Sequence, residues 1–290
     1  MIYLDNAATT KADQDVIDSF VKVNQSLYFN PNSPHQAGLQ AEQVLKQAKE
    51  EIDSALNLNH LYHIVFTSGA TESNNMALKG IAYRKRETAN EIITSVLEHP
   101  SVLEVMRYLE EKQGFKLKYV DVKSDGKIDT EHLKSLMSDK VGLVTCMYVN
   151  NIMGQIQPIQ DIVNILKDYP RAHLHVDAVQ ALGKVSMNLN GVDSLSLSGH
   201  KFNGLKGQGL LIIKNIQNIE PVVHGGGQEY GLRSGTVNLP MAVSMVKSIK
   251  LTMGRLDEAS RKLNKMNQSV RKFLEEFRGV YINSPKDSAP

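Results

Sequence analysis

Short β-rich runs alternate with runs of helical periodicity along most of this chain, and that alternation limits the folds open to it. Residues 41–56 place Ala41, Val44, Leu45, Ala48, Ile52, Ala55 and Leu56 on one helical stripe. Ile64-Val65-Phe66-Thr67 predicts a strand that stops at Ser68-Gly69, with helix from Asn74 onward. The alternation continues with strand 92–96, helix 101–109, strand 119–122, a long apolar strand 141–149 and a helix near 159–167. Strands at 173–177, 195–198 and 209–214 follow. This pattern predicts an α/β fold whose sheet is mostly parallel and buried on both faces. With 290 residues, the chain has room for one large domain or two unequal ones.

From about Met241 the pattern changes. Val243, Val246, Ile249, Leu256, Leu263, Val270, Leu274 and Phe277 predict a long helical region, broken near Gly254. Val280-Tyr281-Ile282 then predicts a strand. A lone terminal strand needs partners, so this region reads as the opening of a second domain whose remainder is absent.

Thirty-three basic residues face 31 acidic ones, which gives no electrostatic case for binding nucleic acid or a membrane surface. Cys146 is the single cysteine, so no internal disulfide can form, as suits a reducing cytoplasm. It lies in the apolar run 143–149 and reads as a small buried hydrophobe rather than a catalytic thiol. No basic region followed by a long apolar stretch marks the N-terminus, so no signal peptide or membrane span is expected.

The informative polar residues fall just after strands, where ligands of α/β sheets collect. Ser68-Gly69-Ala70-Thr71-Glu72-Ser73-Asn74 offers small residues and a helix N-terminus to an anion. Glu98-His99-Pro100-Ser101 supplies a base or a ring-stacking group, or simply a helix start. Asn150-Asn151 reads as a turn or as ligand contacts. Asp177, with Gln180 three residues on, reads as an N-cap or as the partner of a protonated heterocyclic nitrogen. His173 and His175 share a strand face, but no third metal ligand is evident, and they read as packing groups. Ser198-Gly199-His200-Lys201 places a lysine at a strand end beside anion-holding neighbours. Downstream, His224-Gly225-Gly226-Gly227 and Arg233-Ser234-Gly235-Thr236 add a flexible loop and a second candidate anion site. A lysine for an aldehyde, an acid for a pyridine nitrogen, a histidine for a ring and small loops for a phosphate together describe a site for pyridoxal 5'-phosphate.

These segments also resemble the cysteine desulfurases, in the class V aminotransferase branch of fold-type I pyridoxal-phosphate enzymes. The resemblance runs from Tyr3-Leu4-Asp5-Asn6-Ala7-Ala8-Thr9-Thr10 through Asn30-Pro31, Thr67 to Asn74, Glu98-His99, Val149-Asn150-Asn151, His175 to Gln180 and Ser198 to Lys201 to Arg233-Ser234-Gly235-Thr236-Val237-Asn238. It implies a mostly parallel mixed sheet flanked by helices, with an incomplete small α/β domain. On that pattern residues 1–15 associate with the small domain, 16–250 form the large cofactor domain and 251–290 begin the small one.

The resemblance also implies roles. Lys201 is the Schiff-base lysine and general base, and His99 stacks on the ring and helps proton transfer. Asp177 pairs with the pyridine nitrogen, and Asn151 and Gln180 bond near the phenolic oxygen. Ala70, Thr71, Ser198 and His200 hold the phosphate, and Thr236 reaches that of a neighbouring subunit, which implies a homodimer. Asn30 is the candidate for the substrate carboxylate. The implied reaction converts L-cysteine to L-alanine and leaves a persulfide on an enzyme cysteine. That sulfur is destined for an acceptor protein of iron–sulfur cluster assembly, tRNA thiolation or thiamine synthesis. The cysteine loop and a carboxylate-binding arginine of the family lie past residue 290, so these residues are expected to hold the cofactor without completing turnover. Smaller departures are Ile152, Tyr230 and Val237, which replace commonly acidic or charged positions. A selenocysteine lyase or aminotransferase of the same class, and a non-catalytic short form that binds a sulfur-transfer partner, remain alternative readings.

Overall fold

A computed structural model describes residues 2–290; Met1 lies outside the described residues. Its centre is a seven-stranded sheet, β1 (His63–Thr67), β2 (Glu91–Ser95), β3 (Lys116–Val120), β4 (Val141–Met147), β5 (His173–Asp177), β6 (Ser194–Ser198) and β7 (Gly209–Ile213). The spatial order is β1-β7-β6-β5-β4-β2-β3. β7 runs antiparallel to both of its neighbours, and every other pairing is parallel. The mostly parallel sheet expected from the alternation is therefore present, and it is mixed, as the resemblance implies. Since only β7 is reversed, β1, β2, β4, β5 and β6 all end at one edge.

Alternate strand residues enter different cores, as a period of two requires. Ile64, Ile93, Val144, Leu210 and Ile212 pack on one side. Val65, Ile92, Leu143, Leu211 and Ile213 pack on the other. The first side is covered partly by α2 (Gln36–Ala55), α6 (Ile159–Leu166) and α7 (Leu239–Gly254). The second is covered by α3 (Ala70–Lys85) and α4 (Pro100–Gln113). Two further helices, α1 (Gln14–Ser26) and α5 (Thr130–Leu136), were not anticipated by the periodicity. α1 buries only Val16 and α5 only Leu133, too little apolar spacing to stand out in the sequence.

The expected boundaries shift at α3, which begins at Ala70 rather than Asn74, and at β4, which ends at Met147 rather than Val149. The third strand is 116–120, with Val122 left in an isolated bridge to Ile128. The helical region past residue 239 breaks at Arg255 and continues as α8 (Leu256–Leu274), which has no buried residue. The strand expected at Val280-Tyr281-Ile282 does not form: these residues are outside every strand, and Tyr281 is 87% exposed. No neighbouring strand is available there to satisfy its backbone. Instead Arg271 donates to the carbonyls of Ser284 (2.9 Å) and Pro285 (2.8 Å), and Ala289 N–H donates to Gly154 O at 2.7 Å. No described helix is long and apolar enough to cross a membrane.

Candidate active site

The common edge of the sheet opens onto a cleft of about 670 Å³. Its wall includes Ala70, Thr71, His99, Asn151, Asp177, Gln180, Ser198, His200 and Lys201. Nine of the residues singled out from the sequence are thus brought together from five strand ends because those strands share a direction.

The β1–α3 corner supplies the anion end. Gly69 is the N-cap and carries no side-chain acceptor, so the first-turn N–H groups of α3 face the cleft without an internal partner. The corner fits only because position 209 is glycine. A Cβ there would lie 2.5 Å from the carbonyl carbon of Gly69 and from Thr67 Oγ1. Glu72 sits at the same corner and would repel an anion. Burial alone would raise its carboxyl, but hydrogen bonds from Arg233 (2.9 Å) and from the N–H of Ser68 (2.6 Å) outweigh burial and hold it below the ordinary range. The Arg233 guanidinium also offsets the carboxylate charge beside the anion end.

Asp177, at the end of β5, is buried, and no cation lies within ion-pair distance among the described residues. Burial raises its carboxyl; hydrogen bonds from Asn74 Nδ2 (2.9 Å) and Val179 N–H (3.1 Å), with the charges of His99 and Lys201, work against that rise. A buried carboxylate lining a cleft without an ion partner suits a cationic N–H donor from a ligand. Asn74 belongs to this arrangement although only its loop drew attention in the sequence. Its side chain is fully buried, donates to Asp177 and Ser101 Oγ, and accepts from Ser196 Oγ at 2.6 Å. His175 Nε2 lies 3.1 Å from the Asn74 Oδ1, and His173 and His175 both meet Ser194 Oγ at 2.8 Å. Burial drives both imidazoles toward the neutral form. No group of three or more His, Cys, Asp or Glu side chains placed to hold a metal occurs among the described residues.

Lys201 follows β6 on a single 3-10 turn, Gly199–Lys201. Its Nζ donates to Ala7 O (2.7 Å) and Ala8 O (2.9 Å). Burial lowers its amine, against the opposing charges of Asp177 and Asp5. The N-terminal segment thus forms part of the wall: His200 Nδ1 meets Thr9 Oγ1 at 3.1 Å, and Thr10 N–H donates to His200 O at 2.8 Å. Periodicity and motif give this segment no role in the site; its contacts with Lys201 and His200 do.

His99 caps α4: its Nδ1 accepts from the N–H of Ser101 at 3.1 Å. Preceding it, Glu98 is buried, accepts from Met147 N–H at 2.7 Å, and keeps Oε2 without a partner. Burial pushes its carboxyl up to about 8, with the nearby charge of Asp177 adding to the rise. Of the asparagine pair, Asn150 organises the turn by accepting from Ile152 and Met153, and Asn151 lines the cleft. Asn30, expected to meet the substrate carboxylate, does not line the cleft, and Thr236 is expected at a neighbouring subunit's phosphate rather than in this cleft. Asn30 accepts from Asn32 N–H at 3.0 Å in an exposed turn. Thr236 borders a separate cavity of about 210 Å³ with Arg233 and Glu229. Cys146 is 0% exposed and its thiol is raised well above the ordinary range by burial.

The residues present fit pyridoxal phosphate: a partly buried amine and an unpaired buried carboxylate in one cleft, with an uncapped helix N-terminus lining it. Residues 2–290 match the family described as Aminotransferase class-V. The NifS/IcsS protein homolog of Lactobacillus delbrueckii subsp. bulgaricus is 40% identical over 295 residues, covering 100% of this chain and 76% of that protein. The cysteine desulfurase IscS of Dictyoglomus turgidum is 37% identical over 290 residues, covering 99% of this chain and 73% of that protein. A solved NifS-like protein superimposes with a TM-score of 0.94 at 38% identity, covering 99% of this chain and 79% of that one. The chain accordingly belongs to the aminotransferase class-V family, among the pyridoxal-phosphate-dependent cysteine desulfurase and NifS homologues.

Proposed function

We propose that this chain binds pyridoxal phosphate and L-cysteine and carries out the cofactor-dependent part of cysteine desulfuration, which yields L-alanine and passes sulfur to a thiol. The observation that carries this reading is the shared cleft of Lys201 and Asp177, an amine and a buried acid that face the same space. Its support from relatives is the name cysteine desulfurase carried by the D. turgidum protein.

When bound, the cofactor supplies an aldehyde for amines and a protonated ring that draws electrons from a substrate Cα. Lys201 is the amine that would hold it and would take the proton at Cα; burial lowers its amine, which favours that role. Asp177 would keep the ring nitrogen protonated, with Asn74 fixing the carboxylate's direction. The first-turn N–H groups at Ala70 and Thr71, with Ser198 and His200, would hold the phosphate. His99 would cover the ring, and Asn151 and Gln180 would bond at its phenolic oxygen. Asn30 for the substrate carboxylate and Thr236 for a neighbouring subunit's phosphate belong to the same reading, with a homodimer.

The sulfur-accepting thiol is not among these residues' accessible groups. Cys146 is the sole cysteine of the 290 residues, and burial keeps it protonated and out of reach. The acceptor downstream is a protein of iron–sulfur assembly or of tRNA or cofactor thiolation, and the setting is the cytoplasm.

The test is reconstitution with pyridoxal phosphate, followed by visible absorbance and by alanine and sulfide release from L-cysteine with a reductant. The expected result is a yellow protein whose absorbance is lost in Lys201→Ala, with little sulfide turnover. Unchanged absorbance in Lys201→Ala rejects the lysine's role, and robust sulfide release rejects the missing thiol.

A further inference from the structure

Gln180 lines the cleft, and what its carboxamide presents there depends on which way it is turned. An amide can offer an acceptor or a donor to the same point, and its orientation is set by its neighbours. Here both neighbours are unambiguous. Gln180 Oε1 accepts from Lys184 Nζ at 2.7 Å, and Gln180 Nε2 donates to Ala7 O at 2.9 Å. A carbonyl oxygen only accepts. Burial, then the charge of Lys201, lowers the Lys184 amine to about 8, so at pH 7 it is mainly an ammonium, with three donors and no acceptor. Turning the amide over would set N–H against ammonium and oxygen against oxygen.

The lysine is itself held in place. Gly183 has φ +79, in the left-handed region, and a Cβ there would lie 2.3 Å from Thr252 Cγ2 on α7. The tight turn brings Lys184 back over Gln180 four residues earlier, and Lys184 N–H donates to Ala181 O at 3.1 Å.

We propose that Lys184 is a positioning residue that locks the Gln180 carboxamide with its NH₂ group toward the cleft and the N-terminal segment. This rests on the cofactor reading above: a fixed N–H donor beside the phenolic oxygen favours its anionic form and strengthens cofactor binding.

Two measurements test it. In the cofactor-free chain, Lys184→Met frees the amide and raises hydrogen–deuterium exchange in residues 5–10, and Lys184→Arg, which keeps a cationic donor, restores protection. With pyridoxal phosphate, Lys184→Met weakens binding about 5- to 10-fold, the scale of one hydrogen bond of about 1 kcal/mol. Lys184→Arg stays within about twofold of the unmodified chain on the same scale. In a Gln180→Ala background, Lys184→Met has less than about a twofold further effect, because both changes remove one interaction. Equal losses in both backgrounds, or unchanged exchange in Lys184→Met, would overturn the proposal. Failure of the unmodified chain to bind pyridoxal phosphate would instead sink the cofactor reading, and the exchange measurement would still judge Lys184.

Discussion

Replacing Glu98 by glutamine should make this protein more stable as pH rises. The carboxyl is buried between the ends of β2 and β4, with Oε1 accepting from Met147 N–H and Oε2 without a partner. Burial moves it from 4.5 to about 8. Between those two values the folded chain keeps a proton that the unfolded chain releases, so stability falls with rising pH. Each pH unit in that window is about 1.4 kcal/mol. The cost to the fold is therefore about 3 kcal/mol at pH 7 and about 5 kcal/mol above pH 8. Glutamine preserves the shape and the acceptor for Met147 but has no proton to lose. Urea unfolding of both proteins at pH 6, 7, 8 and 9 gives the difference in stability, in which titrations common to the two chains cancel. The gap should move in the variant's favour by about 3 kcal/mol from pH 6 to 8 and then level off. Parallel stability curves over this range would refute the argument that Glu98 is held as a neutral acid.

Two further changes probe the corner and the surface. Gly209→Ala places a Cβ against Gly69 and Thr67, so unfolding should show a loss of about 1–3 kcal/mol, and fluorescence titration should show weaker pyridoxal phosphate binding. An unaltered cofactor affinity would show that the β1–α3 corner tolerates displacement. Along α8 and just beyond it, Leu263, Met266, Val270, Phe273 and Phe277 recur at intervals of three and four and are all exposed, which makes a continuous apolar stripe. The double change Val270→Ser and Phe273→Ser should lower the binding of an apolar fluorescent dye with a stability change within about 0.5 kcal/mol. Undiminished dye binding would place the exposed apolar surface elsewhere.

The alternation of periods made the sheet legible, since β-rich runs of about five residues bury both faces and helices must connect parallel neighbours. Asp177 and Lys201 stood out for a related reason: a polar residue directly after a buried strand lies at the sheet's edge wherever that strand is placed. Lys184 carried no such signal, and the place of Glu98 after a strand did not reveal its burial or its raised carboxyl. Their chemistry comes from burial and from partners supplied by other segments, and a side chain's environment is not written in its neighbours along the chain. Val280-Tyr281-Ile282 shows the converse, because β-prone residues form no strand where no other strand offers hydrogen bonds.

By itself, then, the sequence determined the layered α/β architecture and which polar residues gather near the strand ends. Only the tertiary structure decided that Asn74 would orient Asp177 across 103 residues and that Ala7 and Ala8 would meet Lys201 across more than 190. Local order follows from side-chain periodicity and turn chemistry, which act over a few residues. The site depends on contacts between distant segments and on their removal from water, both set when the sheet closes.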